Sequence, residues 1–465
     1  MMSLSRSALT VATMAGAIAL ASCAPGLRPM PASVAVQPGL EWRTQLPVTG
    51  KLEQRWWQRF GDPRLVALVE KARQNNPDIR LAAARVEEAR ATAAVSRSLL
   101  LPTLEAGLAG GARREVSAFG QGQNSLVAEP AFRASYEVDL FGKNRANIDA
   151  AQAGVAASEA GQEAAFLSVS AATASAYVVL LALDARRNVL VDTLALRAQA
   201  QKFARDRAEV GYTSQLEWRQ AQAEYQATAQ LIPQIEAQIA RQENALSVLT
   251  GDIPGDITRG GSLAELQQPP VPDVVPSQLL RLRPDIAAAE YQLAASDAQM
   301  RAARAGFMPS LGLSASAGAA VSDLLADPIS IWSIGGSLLA PIFNGGRLQG
   351  QFDAATARRD QAAFAYRSTT LNAFREVEDQ LAVVARLDDQ QNALEAQRAA
   401  VADALRHARN RYRAGYTPYI EQIDTQRSLL GVQLSLVQLQ ADQINAIIGL
   451  YQAVGGAPDT QLATE

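Results

Sequence analysis

Side chains suited to covalent or acid–base chemistry are scarce in this sequence, which has one cysteine, Cys23, and one histidine, His407. One of each excludes a disulfide framework and a Cys/His metal cluster. A Ser–His–Asp arrangement would have to recruit His407. That residue stands in the charged stretch Leu405-Arg406-His407-Ala408-Arg409 and reads as a solvated helix position. No phosphate-cradling loop, dinucleotide fingerprint, HExxH or GxSxG pattern occurs. The sequence therefore reads as a protein that is not an enzyme and takes no metal or cofactor. Its 43 basic and 46 acidic residues leave a net charge of −3 with no basic stripe, which argues against a nucleic-acid partner.

Cys23 suits a different chemistry. Residues 1–22 carry Arg6, an apolar run from Ala8 to Leu20 and then Ala21-Ser22, the pattern of a secretory signal peptide too short to be a spanning helix. Leu20-Ala21-Ser22-Cys23 resembles a bacterial lipobox, in which the cysteine would receive diacylglycerol at sulfur and an N-acyl chain after cleavage. Each buried CH₂ contributes about 0.8 kcal/mol and one chain holds only weakly, so a stable anchor needs several. The alternative is an ordinary cleaved signal with an incidental cysteine. Ala24, where an Asp would mark inner-membrane retention, points outward. Residues 23–55, with Pro25, Pro29, Pro31, Pro38 and Pro47, read as a lipid-anchored extended tether.

The elements that follow are written twice. Asn76-Pro77-Asp78-Ile79 recurs as Arg283-Pro284-Asp285-Ile286, and Pro102-Thr103-Leu104 as Pro309-Ser310-Leu311, both at an offset of 207. Leu140-Phe141-Gly142-Lys143-Asn144-Arg145 parallels Ile342-Phe343-Asn344-Gly345-Gly346-Arg347. Val210-Gly211-Tyr212-Thr213 with Glu217 parallels Ala414-Gly415-Tyr416-Thr417 with Glu421. The order and spacing predict a duplication, with repeats over 56–250 and 276–456, a Gly/Pro-rich linker over 251–275 and a short tail over 457–465.

Each repeat has the same internal order. A helix opens on proline, where the missing N–H costs nothing, and ends before Pro102 or Pro309. A hairpin follows, over about 102–141 and 309–342. Within it Phe132, Ala134, Tyr136 and Val138, and later Trp332, Ile334 and Leu338, alternate with polar or small residues. Such segments suit membrane-barrel strands, which need about 9–11 residues to cross, or a soluble hairpin with one solvated face. Next come long proline-free stretches, Asn144–Glu209 and Arg347–Arg413, predicted as helices of about 100 Å that must pack along their length. The uncharged run Ala164–Leu183 reads as a buried seam within one of them. Gly211 and Gly415 suit helix stops, Thr213 and Thr417 the caps of return helices over Ser214–Leu249 and Pro418–Ala453, and Pro418 the first turn of the second.

Four membrane strands cannot close a barrel, so on that reading the chain oligomerises. At this point the pattern resembles a known family. The duplicated plan, Trp56-Trp57-Gln58-Arg59-Phe60-Gly61-Asp62-Pro63, the Pro-Asp-Ile starts, Val138-Asp139-Leu140-Phe141-Gly142 and Arg411-Tyr412-Arg413-Ala414-Gly415 look like the TolC-like outer-membrane factors, in their lipoprotein (NodT/OprM-like) branch. The resemblance implies a mostly α fold with a membrane β-barrel part: a homotrimer with a twelve-stranded barrel in the outer membrane and a twelve-helix periplasmic tunnel. It implies a passive exit duct for drugs or other small molecules, served by a periplasmic adaptor and an inner-membrane pump of the RND type. Gly211, Tyr212, Thr213, Gly415, Tyr416 and Thr417 would form the adaptor-contacting tip, or be turn chemistry alone. Ile420, Asp424 and Arg427 match the branch's gate: an apolar ring, an acidic ring and an arginine. Asp424 and Arg427 share a helix face, so a three-chain ring of Asp424 would prefer cations, whereas an isolated pair would be an ordinary surface ion pair. Two other readings remain open, a lipid-anchored helical scaffold without a pore and the outer duct of a type I protein secretion system.

Overall fold

The computed structural model describes residues 25–26, 29–36, 39, 41–47, 50, 52–53, 55–116 and 119–456; the signal segment, Cys23 and the tail 457–465 lie outside them. The chain divides into two compact units, each drawing on both halves of the sequence. One comprises Met1–Ala35, Ala84–Glu159 and Ala288–Ser368, the other Val36–Ala83, Ala160–Ala287 and Thr369–Glu465.

Helix α1 (Pro63–Asn75) starts on Pro63, with Asp62 accepting from the N–H groups of Arg64 and Leu65 at 2.7 and 3.2 Å. The same device opens α2 (Pro77–Ser98), where the Asn76 carboxamide accepts from the N–H of Asp78 at 2.8 Å. Its counterpart in the second half, α7 (Pro284–Ala305), follows the short α6 (Pro276–Leu282) and is also 22 residues long. The long stretches form α3 (Lys143–Glu209) and α8 (Arg347–Arg413), both of 67 residues.

The return helices differ. The second half has one, α9 (Tyr419–Ala453), whereas the first has two, α4 (Gln215–Ala229) and α5 (Leu231–Leu249), in place of the single helix expected over Ser214–Leu249. Pro233 explains the break: it offers no N–H to the Ala229 carbonyl, and its ring crowds that oxygen.

In the first unit four antiparallel strands form one sheet in the order β1 (Thr103–Val116), β2 (Gly122–Val138), β3 (Ser310–Ser322), β4 (Ile329–Leu339). Three of them, of 14, 17 and 13 residues, exceed the expected membrane-crossing length, and β4 has 11. The register places Ala106, Phe132, Ala317 and Trp332 in one row and Leu104, Ala134, Ala315 and Ile334 in the next. Side chains of one row lie on one face, so that face is apolar. The other carries Thr103 and Ser135, 2.7 Å apart, and Ser316 and Ser333, 2.8 Å apart. Pro130 sits in a central strand, where it removes a ladder donor. Gly318 pairs with the next residue, Ala131, and an added Cβ there would meet the Pro130 carbonyl at 2.3 Å. In the same unit Arg304 and Arg359 donate to the backbone carbonyls of Pro25 and Pro29 at 2.9 and 3.3 Å, and Arg367 to that of Ala35 at 2.8 Å, so the tether is laid along α7 and α8.

The second unit is helical. Its core is Trp56, Trp57 and Phe60 from a 3₁₀ turn, packed on Tyr177, Val178 and Leu181 of α3 and on Ile444, Ile448 and Tyr451 of α9. Much of the uncharged run Ala164–Leu183 is in this core, and full burial of a large apolar side chain contributes about 1.5–3 kcal/mol. The segment 251–275, whose composition marks it as a linker, is strapped to the helices. Arg259 pairs with Asp184 at 2.7 Å and with Glu243, and the Gly260 N–H donates to the Tyr177 hydroxyl at 2.9 Å. Tyr177 in turn donates to Asp62 at 2.9 Å, and Gln440 donates to the Leu263 carbonyl at 3.3 Å.

Candidate functional site

The helical unit carries two equivalent turns. At each the glycine is left-handed, Gly211 at φ 76° and Gly415 at φ 78°. The next amide reaches back five residues, Tyr212 N–H to Arg207 O and Tyr416 N–H to Arg411 O, both 2.9 Å. This closes the helix end through otherwise unpaired carbonyls. Tyr212 and Tyr416 are 77 and 80 % exposed. Behind them Ala204, Ala221, Tyr412, Tyr419 and Ile423 form a small core, and Tyr412 donates to Glu217 at 2.9 Å. The Arg207 guanidinium lies 5.3 Å from the Tyr212 ring and 5.6 Å from that of Tyr412.

Thr213 and Thr417 do not cap the return helices. The capping positions fall one residue later, on Ser214 and Pro418, so Pro418 precedes the first turn instead of occupying it. The Oγ1 atoms of both threonines are buried and find no hydrogen-bond partner among the described residues.

In the first two turns of α9, Ile420 is 41 % exposed and Asp424 also faces solvent. Asp424 and Arg427 approach to 3.8 Å, a loose contact. Arg427 instead engages Glu224 of α4, through Nε at 3.0 Å and through a second, shorter contact from its other guanidinium nitrogen. Glu224 is buried, and its other oxygen meets the buried Arg197 of α3 at 3.1 Å. Arg197 also donates to the Glu224 carbonyl at 2.7 Å and to Thr228 Oγ1 at 2.6 Å. Burial pushes the Arg197 guanidinium down from its ordinary pKa, against the pull of Glu224, while the hydrogen bond to Glu224 raises that of Arg427. One carboxylate thus ties α3, α4 and α9 together beside Asp424. Neither Arg197 nor Glu224 stands out in the sequence, because the second repeat has Ser428 where the first has Glu224.

The sheet is the other functional surface. Leu104, Leu108, Phe132, Trp332, Ile334 and Leu338 are between 60 and 78 % exposed. An apolar face of this extent is unusual on a protein surrounded by water. His407 lies exposed on α8. Cys23, the expected lipidation site, lies outside the described residues.

Comparison with known proteins agrees with this geometry. The chain is 32 % identical to the pyoverdine export outer membrane protein OpmQ of Pseudomonas putida, over 92 % of this chain and 94 % of that one. It is 32 % identical to the probable outer membrane lipoprotein SilC of Salmonella typhimurium, over 96 and 97 % of the two chains. The fold matches the open state of the MtrE outer membrane channel of Neisseria gonorrhoeae with a TM-score of 0.78 at 28 % identity, covering 92 % of this chain and 98 % of that one. Residues 68–252 and 275–456, which hold both long helices, both hairpins and both glycine turns, match the outer membrane efflux protein family, and the chain belongs to that family.

Proposed function

We propose that the chain is one protomer of a homotrimeric exit duct of a tripartite efflux pump, carrying drugs or other small molecules out through the outer membrane. The observation that carries this reading is the sheet. Among the described residues no further strand pairs with the outer edges of β1 and β4, and the apolar face is bare. Hydrocarbon tolerates neither an open edge nor an unpaired backbone group, so such a sheet must close on other copies of itself. Three copies of four strands give a twelve-stranded barrel, with the polar face that carries Thr103, Ser135, Ser316 and Ser333 lining the pore. Three copies of the two long helices and their return partners give a twelve-helix periplasmic tunnel. The duct is passive: energy comes from an inner-membrane pump of the RND type, reached through a periplasmic adaptor, and the chain itself performs no catalysis.

Within this reading residues 1–22 are a signal peptide, Cys23 carries diacylglycerol and an N-acyl chain, and 23–55 tether that anchor to the first repeat. The repeats are 56–250 and 276–456, joined by 251–275. Gly211, Tyr212, Thr213, Gly415, Tyr416 and Thr417 form the tip that meets the adaptor. Ile420 and Asp424 form the constriction, with Arg427 holding it closed through Glu224. Single-channel recording in planar bilayers tests both levels. Wild type is expected to give small, cation-selective openings that enlarge in Asp424→Ala. Openings that do not change would remove Asp424 from the gate, and silence from both proteins with no oligomer present would remove the duct.

A further inference from the structure

Helices α3, α5 and α9 line an open pocket of about 360 Å³. Two guanidiniums line it, those of Arg186 and Arg241, together with the carboxamides of Gln238 and Gln438 and an apolar floor that includes Val179 and Leu183. No aspartate or glutamate is in the lining. Gln438 donates to Asp442 at 2.8 Å. Arg186 Nε is buried without a hydrogen-bond partner among the described residues. Other arginines of this unit are matched: Arg187 meets Glu236 at 2.8 Å, Arg197 meets Glu224 and Arg259 meets Asp184. Arg186 and Arg241 form no such ion pair among the described residues. A buried, unpartnered guanidinium nitrogen costs free energy that a bound anion offsets.

The direction in which the cavity opens follows from helix geometry. Side chains two residues apart point about 200° apart. Asp184 and Glu243 hold Arg259, and Gln440 holds Leu263, so these three face the strapping segment. Arg186, Arg241 and Gln438 each stand two residues away from one of them and face the opposite side. All three helices give the same answer. In the proposed duct the strap thickens the outer wall, because a proline-rich segment laid inside would fill the bore, so the opposite face is the lumen.

We propose that this cavity is a lumenal binding site for an amphiphilic organic anion, a carboxylate or sulfonate on a compact apolar body. The guanidinium fork matches such a head group in plane, the floor takes the apolar body, and the volume is that of a small-molecule site. Anion binding stands on the cavity alone, and its lumenal placement rests on the duct reading.

Equilibrium dialysis of the full-length oligomer in a nonionic detergent tests it, with naphthalene-2-sulfonate as the probe and neutral 2-naphthalenemethanol as the comparison. Wild type is expected to bind the sulfonate at least about tenfold more tightly than the alcohol. The double substitution Arg186→Gln with Arg241→Gln removes that preference, and the Lys/Lys pair, which keeps the charge without the fork, restores part of it. Equal binding of the two probes by wild type overturns the site, and so does undiminished sulfonate binding by the Gln variant. Should the Gln variant fail to assemble, the wild-type comparison decides alone. Sulfonate added to open channels in a bilayer should block current in a voltage-dependent manner. Binding without block overturns the lumenal placement, and a protein that binds but never conducts overturns the duct and leaves the anion site standing.

Discussion

Arg427 has two carboxylates within reach and holds the one that is out of water. Breaking a buried pair by neutralising one partner leaves the other charge stranded, at a cost of about 3–5 kcal/mol. Glu224→Gln is therefore expected to lower the thermal unfolding midpoint sharply, as followed by circular dichroism. Asp424→Ala, which removes an exposed and loosely paired carboxylate, should shift it by no more than about 1 kcal/mol equivalent. A second residue-scale expectation concerns pH. Burial, with the hydrogen bond and charge of Asp62 adding to it, pushes the Tyr177 hydroxyl up to about 12, from about 10 in an unfolded chain. Its contribution is complete below pH 10 and is lost as pH rises from 10 toward 12. Urea titrations at pH 9 and 11 should show wild type weakening more than Tyr177→Phe does. The approach of Asp424 to Arg427 was legible in the sequence because positions three apart share a helix face. Glu224 was not, since its contact with Arg427 joins residues 203 positions apart and sequence spacing carries no trace of it.

Gly211 and Gly415 belong to the scale of the element, because one residue type alone enters the left-handed region without strain. Gly415→Ala should cost about 1–2 kcal/mol locally. Hydrogen exchange would read this as faster exchange at residues 415 and 416, whose amides bond Tyr412 O and Arg411 O. Helix stops of this kind can be read from one chain without knowing the fold, and so could the lengths of α2, α3, α7 and α8. The break between α4 and α5 was equally written in the sequence, as Pro233, yet the parallel with α9 argued for one continuous helix. Duplication predicts the plan, and a local residue can still overrule it. Pro233→Ala should join the two segments, with the amide at 233 becoming protected as it bonds to Ala229 O. A position that stays exchangeable would mean that packing against α3, and not the proline, sets the break.

For the whole molecule the decisive feature is a sheet that is incomplete in one chain. Ile334→Arg places a charge on its bare apolar face, and if that face meets lipid the cost is about 2–4 kcal/mol at mid-membrane. Oligomer recovered from outer-membrane fractions should fall, whereas the same change at Ser333, on the polar face, should leave the yield near wild type. The equal 67-residue lengths of α3 and α8 carry one more consequence, which concerns how such a chain can change over generations. One residue inserted in either helix advances everything beyond it by about 1.5 Å and rotates it by about 100°, turning a buried seam into an exposed one. A seven-residue insertion nearly restores the face, falling short by about 20°, but still leaves one helix about 10 Å longer than its twin. Only matched insertions in both halves, with matching additions to α9 and to the α4–α5 pair, keep the two turns level. The length of this protein can therefore drift only in coordinated steps, as a ladder can be lengthened only by adding to both rails.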